Sequence, residues 1–357
     1  MTALLILTLL LGLIPLRIAP GGGSPEDGMR PEGTRTWKGL CALLILLSHY
    51  TGYITAGLAD EAYLTFRSGV GQGIVVLFFF YAGYGVMRSG MADARGYLLR
   101  RLPKRVLRVW SCGVASVLVM WAVQSLWGRV YDWDVLLDAL LFRASLGNNT
   151  WFVAVILAEY LMLALGLTLM LRRNTLWTRL ACLVTVSVLT ALLVWHLYSL
   201  WLDDFWYDSV LLFPVGMACA LAARPVGELL RRCRWLWWTV LPALLAADVL
   251  LYDSQLLSFA WREVWYVLLC LTVAALSMRV RPASPVLGFF GDHALAVYLL
   301  QRVPMIACYE LGWTEAAPYA CCVLCAAVTA LMALGWDRAV NCVFPRQNIR
   351  NVRQNTE

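Results

Sequence analysis

A lysine opens an apolar run and a histidine sits inside it. Arg35-Thr36-Trp37-Lys38-Gly39-Leu40 leads into Cys41-Ala42-Leu43-Leu44-Ile45-Leu46-Leu47-Ser48-His49-Tyr50. Imidazole is the side chain whose ordinary pKa lets it take and return a proton near neutral pH. A lysine ammonium is a compact point charge suited to an anionic group. Eleven residues separate Lys38 from His49, close to three turns of a helix at about 3.6 residues each, so both project from one side. At about 1.5 Å per residue the separation is roughly 16 Å, half of a ~30 Å hydrocarbon core. An ionisable group at that depth is costly unless it faces a partner or a watery cavity, which makes His49 the first functional candidate. The pair is expected to serve a single cavity. A helix-to-helix hydrogen bond for His49 and a snorkelling interface anchor for Lys38 are the simpler alternatives.

The chain around that helix is built for lipid. Of its 357 residues 61% are hydrophobic and 14% charged, with a mean hydropathy of +0.69; a soluble domain carries about a quarter charged residues. The apolar residues fall in separate runs of about 20, the length that spans a bilayer. This is a polytopic membrane protein. Its net charge of +7 belongs to loops at a cytoplasmic surface rather than to a nucleic-acid footprint. Most of the 11 cysteines lie in apolar runs. Cys321, Cys322 and Cys325 share an apolar helix with no His, Asp or Glu beside them and are read as small buried hydrophobes, so no metal site is expected.

Met1 to Ile18 is one apolar run without a basic start or a small-residue cleavage site, so 1–20 is expected to be an N-terminal transmembrane helix rather than a cleaved signal peptide. Residues 21–35, with Gly21-Gly22-Gly23-Ser24-Pro25, form a flexible cytoplasmic linker. Ten spans follow, near 38–58, 69–87, 109–127, 150–171, 180–201, 207–223, 235–251, 260–278, 286–309 and 316–336. Tyr131 to Leu146 is too short and too charged to cross and is expected to lie in the interface as an amphipathic helix. Basic residues crowd the loops after the second, fourth, sixth and eighth spans, among them Arg105, Arg173, Arg232 and Arg279. Acidic residues crowd the alternate loops, among them Asp60, Asp134, Asp204 and Glu310. The basic loops are cytoplasmic by the positive-inside rule, with Arg67, Arg129, Arg143 and Arg262 as exceptions to the bias. Lys38 then lies at the cytoplasmic surface with His49 above it, Met1 lies outside, and 341–357 is a cytoplasmic tail.

Several stretches, in this order and spacing, resemble the membrane-bound acyltransferase family 3. Lys38-x10-His49 stands where family members carry Arg-x10-His, and Phe78-Phe79-Phe80-Tyr81-Ala82-Gly83-Tyr84 follows their Phe-Phe-x-x-Ser-Gly-Phe/Tyr. Lys104-Arg105-Val106-Leu107-Arg108 matches a basic Lys-Arg-x-x-Arg stretch, and Trp151-Phe152 with Tyr160 matches Trp-Phe-x7-Tyr. Tyr298-Leu299-Leu300-Gln301 occupies the place of Tyr-Leu-Leu-His in the ninth span. The resemblance covers about 36–340. It implies an all-α polytopic membrane protein, a ten-helix acyltransferase-3-like bundle, here with one extra N-terminal transmembrane helix. It also implies O-acyl transfer, acetyl first, to a hydroxyl of a carbohydrate or cell-envelope glycan precursor in a bacterial cytoplasmic membrane. Acyl-CoA, most simply acetyl-CoA, would be the co-substrate, with no permanently bound cofactor.

Three departures sharpen the roles. Lys38 keeps the charge of the family arginine and loses its planar fork; Ala82 lacks the serine hydroxyl. Gln301 cannot move protons, though it can donate and accept hydrogen bonds, which leaves proton transfer to His49 alone. Acyl transfer from a thioester to a hydroxyl needs that base, and donors for the developing oxyanion, for which Gln301, Tyr84 or Arg302 are candidates. Lys38, Lys104, Arg105 and Arg108 are expected to meet the donor's phosphates, although topology alone accounts for most cytoplasmic arginines. Trp151, Glu159, Tyr298 and Arg302 are expected at the substrate, with Glu159 and Arg302 paired to each other or lining the cavity. The partners implied are the acyl-CoA donor, the acceptor and the bilayer, without nucleic acid; nothing in the sequence indicates an oligomeric state. The other reading is a transporter or flippase of a lipid-linked or small polar molecule, for which no internal repeat speaks.

Overall fold

The computed structural model describes residues 1–14, 16–18, 28–55, 57, 59–233, 235–256 and 258–344. Residues 21–27 of the linker and the tail from residue 345 lie outside the described residues. The chain begins with α1 (Thr2–Leu13) and the short strand β1 (Leu16–Ile18). Next comes α2 (Pro31–Tyr50), with Pro31 at its first position, where the missing N–H would have had no partner anyway. Asp60 caps α3 (Glu61–Val70), its carboxylate accepting from the Tyr63 N–H, and a turn at Gly71 leads into α4 (Gly73–Ala92).

The basic stretch opens α5 (Leu102–Leu126), followed by α6 (Trp133–Leu140), α7 (Trp151–Thr168), α8 (Leu176–Ser199), α9 (Leu212–Arg232), α10 (Trp235–Leu250) and α11 (Phe259–Ser277). Strand β2 (Val280–Pro282) precedes α12 (Pro285–Asp292), α13 (Ala294–Leu300), α14 (Arg302–Glu310) and α15 (Pro318–Val343). Among the described residues seven stretches are long and apolar enough to cross a bilayer: Glu61–Ala92, Ala94–Leu126, Trp151–Thr168, Leu176–Ser199, Leu212–Leu230, Phe259–Ser277 and Pro318–Val343. The protein is all-α and polytopic.

Helices stand where the remaining spans are expected, with different shapes. The ninth span is not one rod. It breaks at His293 and again at Gln301, where Pro304, in the first turn of α14, has no N–H to continue the ladder. The amphipathic helix expected over 131–146 is only the eight residues of α6, and the chain then turns through Phe142 at a φ of 59°. The helix expected over 1–20 is twelve residues long, about 18 Å of rise against a ~30 Å hydrocarbon core. The chain continues from it as β1, which pairs antiparallel with β2, Leu16 opposite Pro282. At its other end the Met1 amino group donates to Asp60 over 2.8 Å. The bundle thus has an acidic end, with Asp60, Asp204 and Glu310, and a basic end, with Lys38, Arg105 and the two strands.

Two helix pairs meet backbone to backbone. A Cβ on Gly39 of α2 would lie 1.8 Å from the Leu287 carbonyl oxygen of α12, and one on Gly291 would lie 1.8 Å from that of Arg35. Between α4 and α9 the same holds for Gly83 against Phe213 and Gly216 against Phe80. In a bilayer, where apolar side chains gain nothing by leaving lipid, such close approach lets van der Waals packing hold helices together. These contacts fix α2 against the broken ninth span, and so set which residues face His49.

Candidate functional site

At the acidic end a cavity of about 920 Å³ opens between α2, α3, the turns before α7 and the broken span. His49, Asn149, Trp151, Tyr298 and Arg302 line it. Asn149, in the turns before α7, places its amide nitrogen 3.3 Å from His49 Nδ1. The same nitrogen lies 3.5 Å from the Tyr298 carbonyl oxygen, so the nitrogen rather than the oxygen of that amide faces the ring. Nδ1 is then an acceptor, and the neutral imidazole carries its hydrogen on Nε2. Gln301 lies beside the imidazole and donates from Nε2 to the Tyr298 carbonyl over 3.1 Å. Its buried Oε1 has no hydrogen-bond partner among the described residues, and neither has Arg302 Nε. A Tyr298 carbonyl exposed by the interrupted helix thus orients two amides around one histidine.

Aromatic rings build the wall. Trp151 meets Phe205 edge-on with centroids 5.6 Å apart and Trp206 at 6.4 Å. Tyr298 packs on Phe152, centroids 5.5 Å apart, and Phe152 on Phe79 at 4.9 Å. Toward the basic end, a small apolar void of about 70 Å³ lies between Val75, Phe78, Phe152, Ala294, Leu295 and Tyr298. Tyr298 therefore borders both spaces.

The basic end is arranged differently from the sequence expectation. Lys38 does not line the His49 cavity. The two residues do share a face of α2, but Ala42 on that face is buried against Leu287 and Phe290. The expected single cavity is closed in its middle by packed side chains. Lys38 has Arg105 and Asp292 as its charged neighbours, and Arg35 takes Asp292 at 2.8 Å. Arg105 donates from Nε to the Tyr160 hydroxyl over 2.8 Å. Arg108 lies 3.8 Å from Asp337, which also holds His293 Nδ1 at 2.6 Å. Lys104 is exposed. Of the four cations expected at the donor, Lys38 and Arg105 come together, while Arg108 is engaged elsewhere and Lys104 points away.

Two further expectations change. Glu159 is fully buried but accepts from Thr190 over 3.1 Å, and does not pair with Arg302. Tyr84 is buried on α4 where Gly216 of α9 packs against its backbone, outside the His49 cavity. Sequence reasoning missed Asn149, whose asparagine in a polar turn carries no signal, and it set Arg67 and Arg143 aside although both line the cavity. Their signal was present: they are arginines on the acidic side of a charge-sorted chain. It also missed that Cys322-Val323-Leu324-Cys325 has C-x-x-C spacing and that Cys308 of α14 joins Cys321 and Cys325, the three thiol sulfurs lying within 4.8 Å of one another.

Beside the main cavity a second one of about 510 Å³ shares Ser68, Gln72 and Phe205 with it and holds Asp204, Asp208 and Arg262. Arg262 lies 3.1 Å from Asp208 and 3.2 Å from Asp204. Asp208 precedes the span that begins at Leu212. Burial pushes its carboxyl up to about 7, against the pull of Arg262 and with help from Asp204. Asp204 goes the other way, held low first by the Tyr207 hydroxyl.

The model of an acyltransferase domain, the acyltransferase-3 type, matches residues 35–336. No curated protein matches the chain, and no solved structure does.

Proposed function

The chain belongs to the acyltransferase-3 family and is a multi-pass membrane acyltransferase, and on that premise we propose that it O-acylates a carbohydrate or cell-envelope glycan precursor from acyl-CoA, acetyl-CoA first, with His49 as general base. The acceptor hydroxyl loses its proton to His49 as its oxygen attacks the thioester carbonyl. The tetrahedral intermediate collapses by breaking the carbon–sulfur bond, and the leaving thiolate takes the proton back from the imidazolium. The lone pair on Nδ1 faces Asn149 at 3.3 Å, a long contact that an incoming hydroxyl would replace. Arg302, with its unpartnered Nε, is the donor for the oxyanion; Gln301 keeps the ring in place rather than moving protons. The donor's phosphates would sit at Lys38 and Arg105. Its acyl end would reach His49 past Tyr298 once the packed side chains around the small apolar void part to admit it.

The observation that carries this reading is His49 itself: an imidazole lining a roomy cavity, with the Asn149 amide at Nδ1 and Gln301 beside it, in the helix where the family match begins. The test is His49→Gln, which keeps a hydrogen-bonding group and removes the base. General-base catalysis is worth about 10²–10⁴ in rate, so transfer from labelled acetyl-CoA should fall at least about 100-fold while the protein still inserts and accumulates. A loss of only a few-fold would place the base elsewhere.

A further inference from the structure

We propose that the His49 cavity takes an acidic sugar, a pyranose carrying a carboxylate or a phosphate, and that Arg67 and Arg302 hold its anionic group while a hydroxyl of the same sugar meets His49. This deepens the acyltransferase reading and rests on it. Three arginines line the cavity: Arg67 from α3, Arg143 from the turns after α6, and Arg302 at the start of α14. Among the described residues none of the three forms an ion pair. The other arginines at the acidic end do, Arg129 with Glu310 at 3.0 Å and Arg262 with Asp204 at 3.2 Å. Carboxylates are therefore within reach of this end, and Glu61 and Asp203 line the cavity itself, yet these three guanidiniums leave them unused.

Two of the three are placed at the base. Arg67 donates from Nε to the Ser48 hydroxyl over 3.2 Å, in the residue before His49, and lines the same cavity. Arg302 follows Gln301, and its buried Nε has no partner. The charges of both are felt at His49. A guanidinium fork matches a carboxylate or phosphate bidentately; Arg302 Nε is already out of water, where a donor without a partner is costly, while Arg67 is exposed to the cavity. The proton transfer supplies a second reason. The imidazolium it creates stands beside two cations, and an anion bound between them offsets that repulsion. An acidic acceptor would thus help the base that acts on it, whereas a neutral one would not.

The rest of the cavity suits a sugar ring. Trp151, Phe205 and Trp206 offer an aromatic wall for its C–H face, and about 920 Å³ leaves room for more than one ring. The donor's phosphates are the other anions in the reaction. Their cations, Lys38 and Arg105, stand at the opposite end of α2, behind the packed Ala42.

The full-length protein in lipid nanodiscs is titrated with glucuronic acid, glucose 1-phosphate and glucose, and binding is followed as ligand-induced thermal stabilisation. The two acidic sugars should bind at least tenfold more tightly than glucose, with a preference that weakens as salt rises. Arg67→Gln should abolish the preference, and Arg67→Lys should keep part of it, which separates loss of charge from loss of fold. Equal affinity for glucose, or an unchanged preference in Arg67→Gln, overturns the proposal. So does coenzyme A displacing glucuronic acid with the same dependence on Arg67, since the arginines would then serve the donor. Acetyl transfer to the same three sugars is measured in parallel. Efficient transfer to glucose with no acidic preference overturns this inference and leaves the acyltransferase standing. Arginine-dependent binding of acidic sugars with no transfer to any of them supports the anion site and counts against the acyltransferase reading.

Discussion

Gly39→Ala tests how the site is held together. The added Cβ would lie 1.8 Å from the Leu287 carbonyl oxygen and 2.6 Å from its carbon, where real Cβ contacts stay above 3.0 Å. The obstacle is backbone, so no rotamer change relieves it, and α2 and α12 must part by about 3.0 − 1.8 = 1.2 Å. Overpacking of this kind costs about 1–3 kcal/mol of stability. The larger effect is on chemistry. The ninth span runs from α12 through α13 to Gln301 and Arg302, while α2 carries His49, so the displacement is passed to the groups proposed to react. A misplacement of about 1 Å can cost roughly 100-fold in rate. Gly39→Ala should therefore lose activity far beyond its loss of stability, and Gly291→Ala, whose Cβ would lie 1.8 Å from the Arg35 carbonyl, should do the same. Gly85→Ala is the control. It meets nothing within 4 Å in the interior of α4, so it should be neutral or gain up to about 1 kcal/mol from helix propensity. Initial rates of acetyl transfer and melting in detergent decide the matter. A Gly39→Ala protein with wild-type rate and wild-type melting would show that this close approach does not position the site.

Two further outcomes are expected. Lys38→Ala should mainly raise KM for acyl-CoA, because a contact to a remote phosphate is alike in ground and transition states, and Lys38→Arg should be tolerated; an unchanged donor KM with a lowered kcat would remove Lys38 from donor binding. Asp208 should make stability fall with rising pH. Its folded carboxyl, at about 7 against an ordinary 3.8, holds a proton that the unfolded chain has released, so its contribution is lost as pH climbs from near 4 to near 7 and is level above. Melting in detergent at pH 5, 6, 7 and 8 should show that decline in the parent and a shallower one in Asp208→Asn; equal slopes would refute it.

The exceptions to the loop-charge rule proved the most informative residues in the chain. Arg67 and Arg143 line the main cavity, Arg262 the adjacent one, and Arg129 pairs with Glu310. Topology explains an arginine on a cytoplasmic loop. It does not explain one on the opposite side, which must have a local partner or a ligand.

Fold class and the apolar runs behind the seven long helices were legible in the sequence, as was His49 as a candidate, because a bilayer imposes its requirements locally. Each span must carry its own apolar length and satisfy its own backbone, so composition and spacing record the topology residue by residue. What surrounds His49 was not legible. Asn149 lies 100 residues away in the chain, and Gln301, Tyr298 and Arg302 reach the ring because an interrupted helix exposes a carbonyl there. The separation of Lys38 from the His49 cavity was equally hidden. Helical periodicity places the two on one face, but whether the face between them is open or packed depends on α12, which Gly39 and Gly291 bring into backbone contact. Periodicity is a property of one helix; a cavity is a property of the spaces between several, and those are decided by packing across the whole bundle.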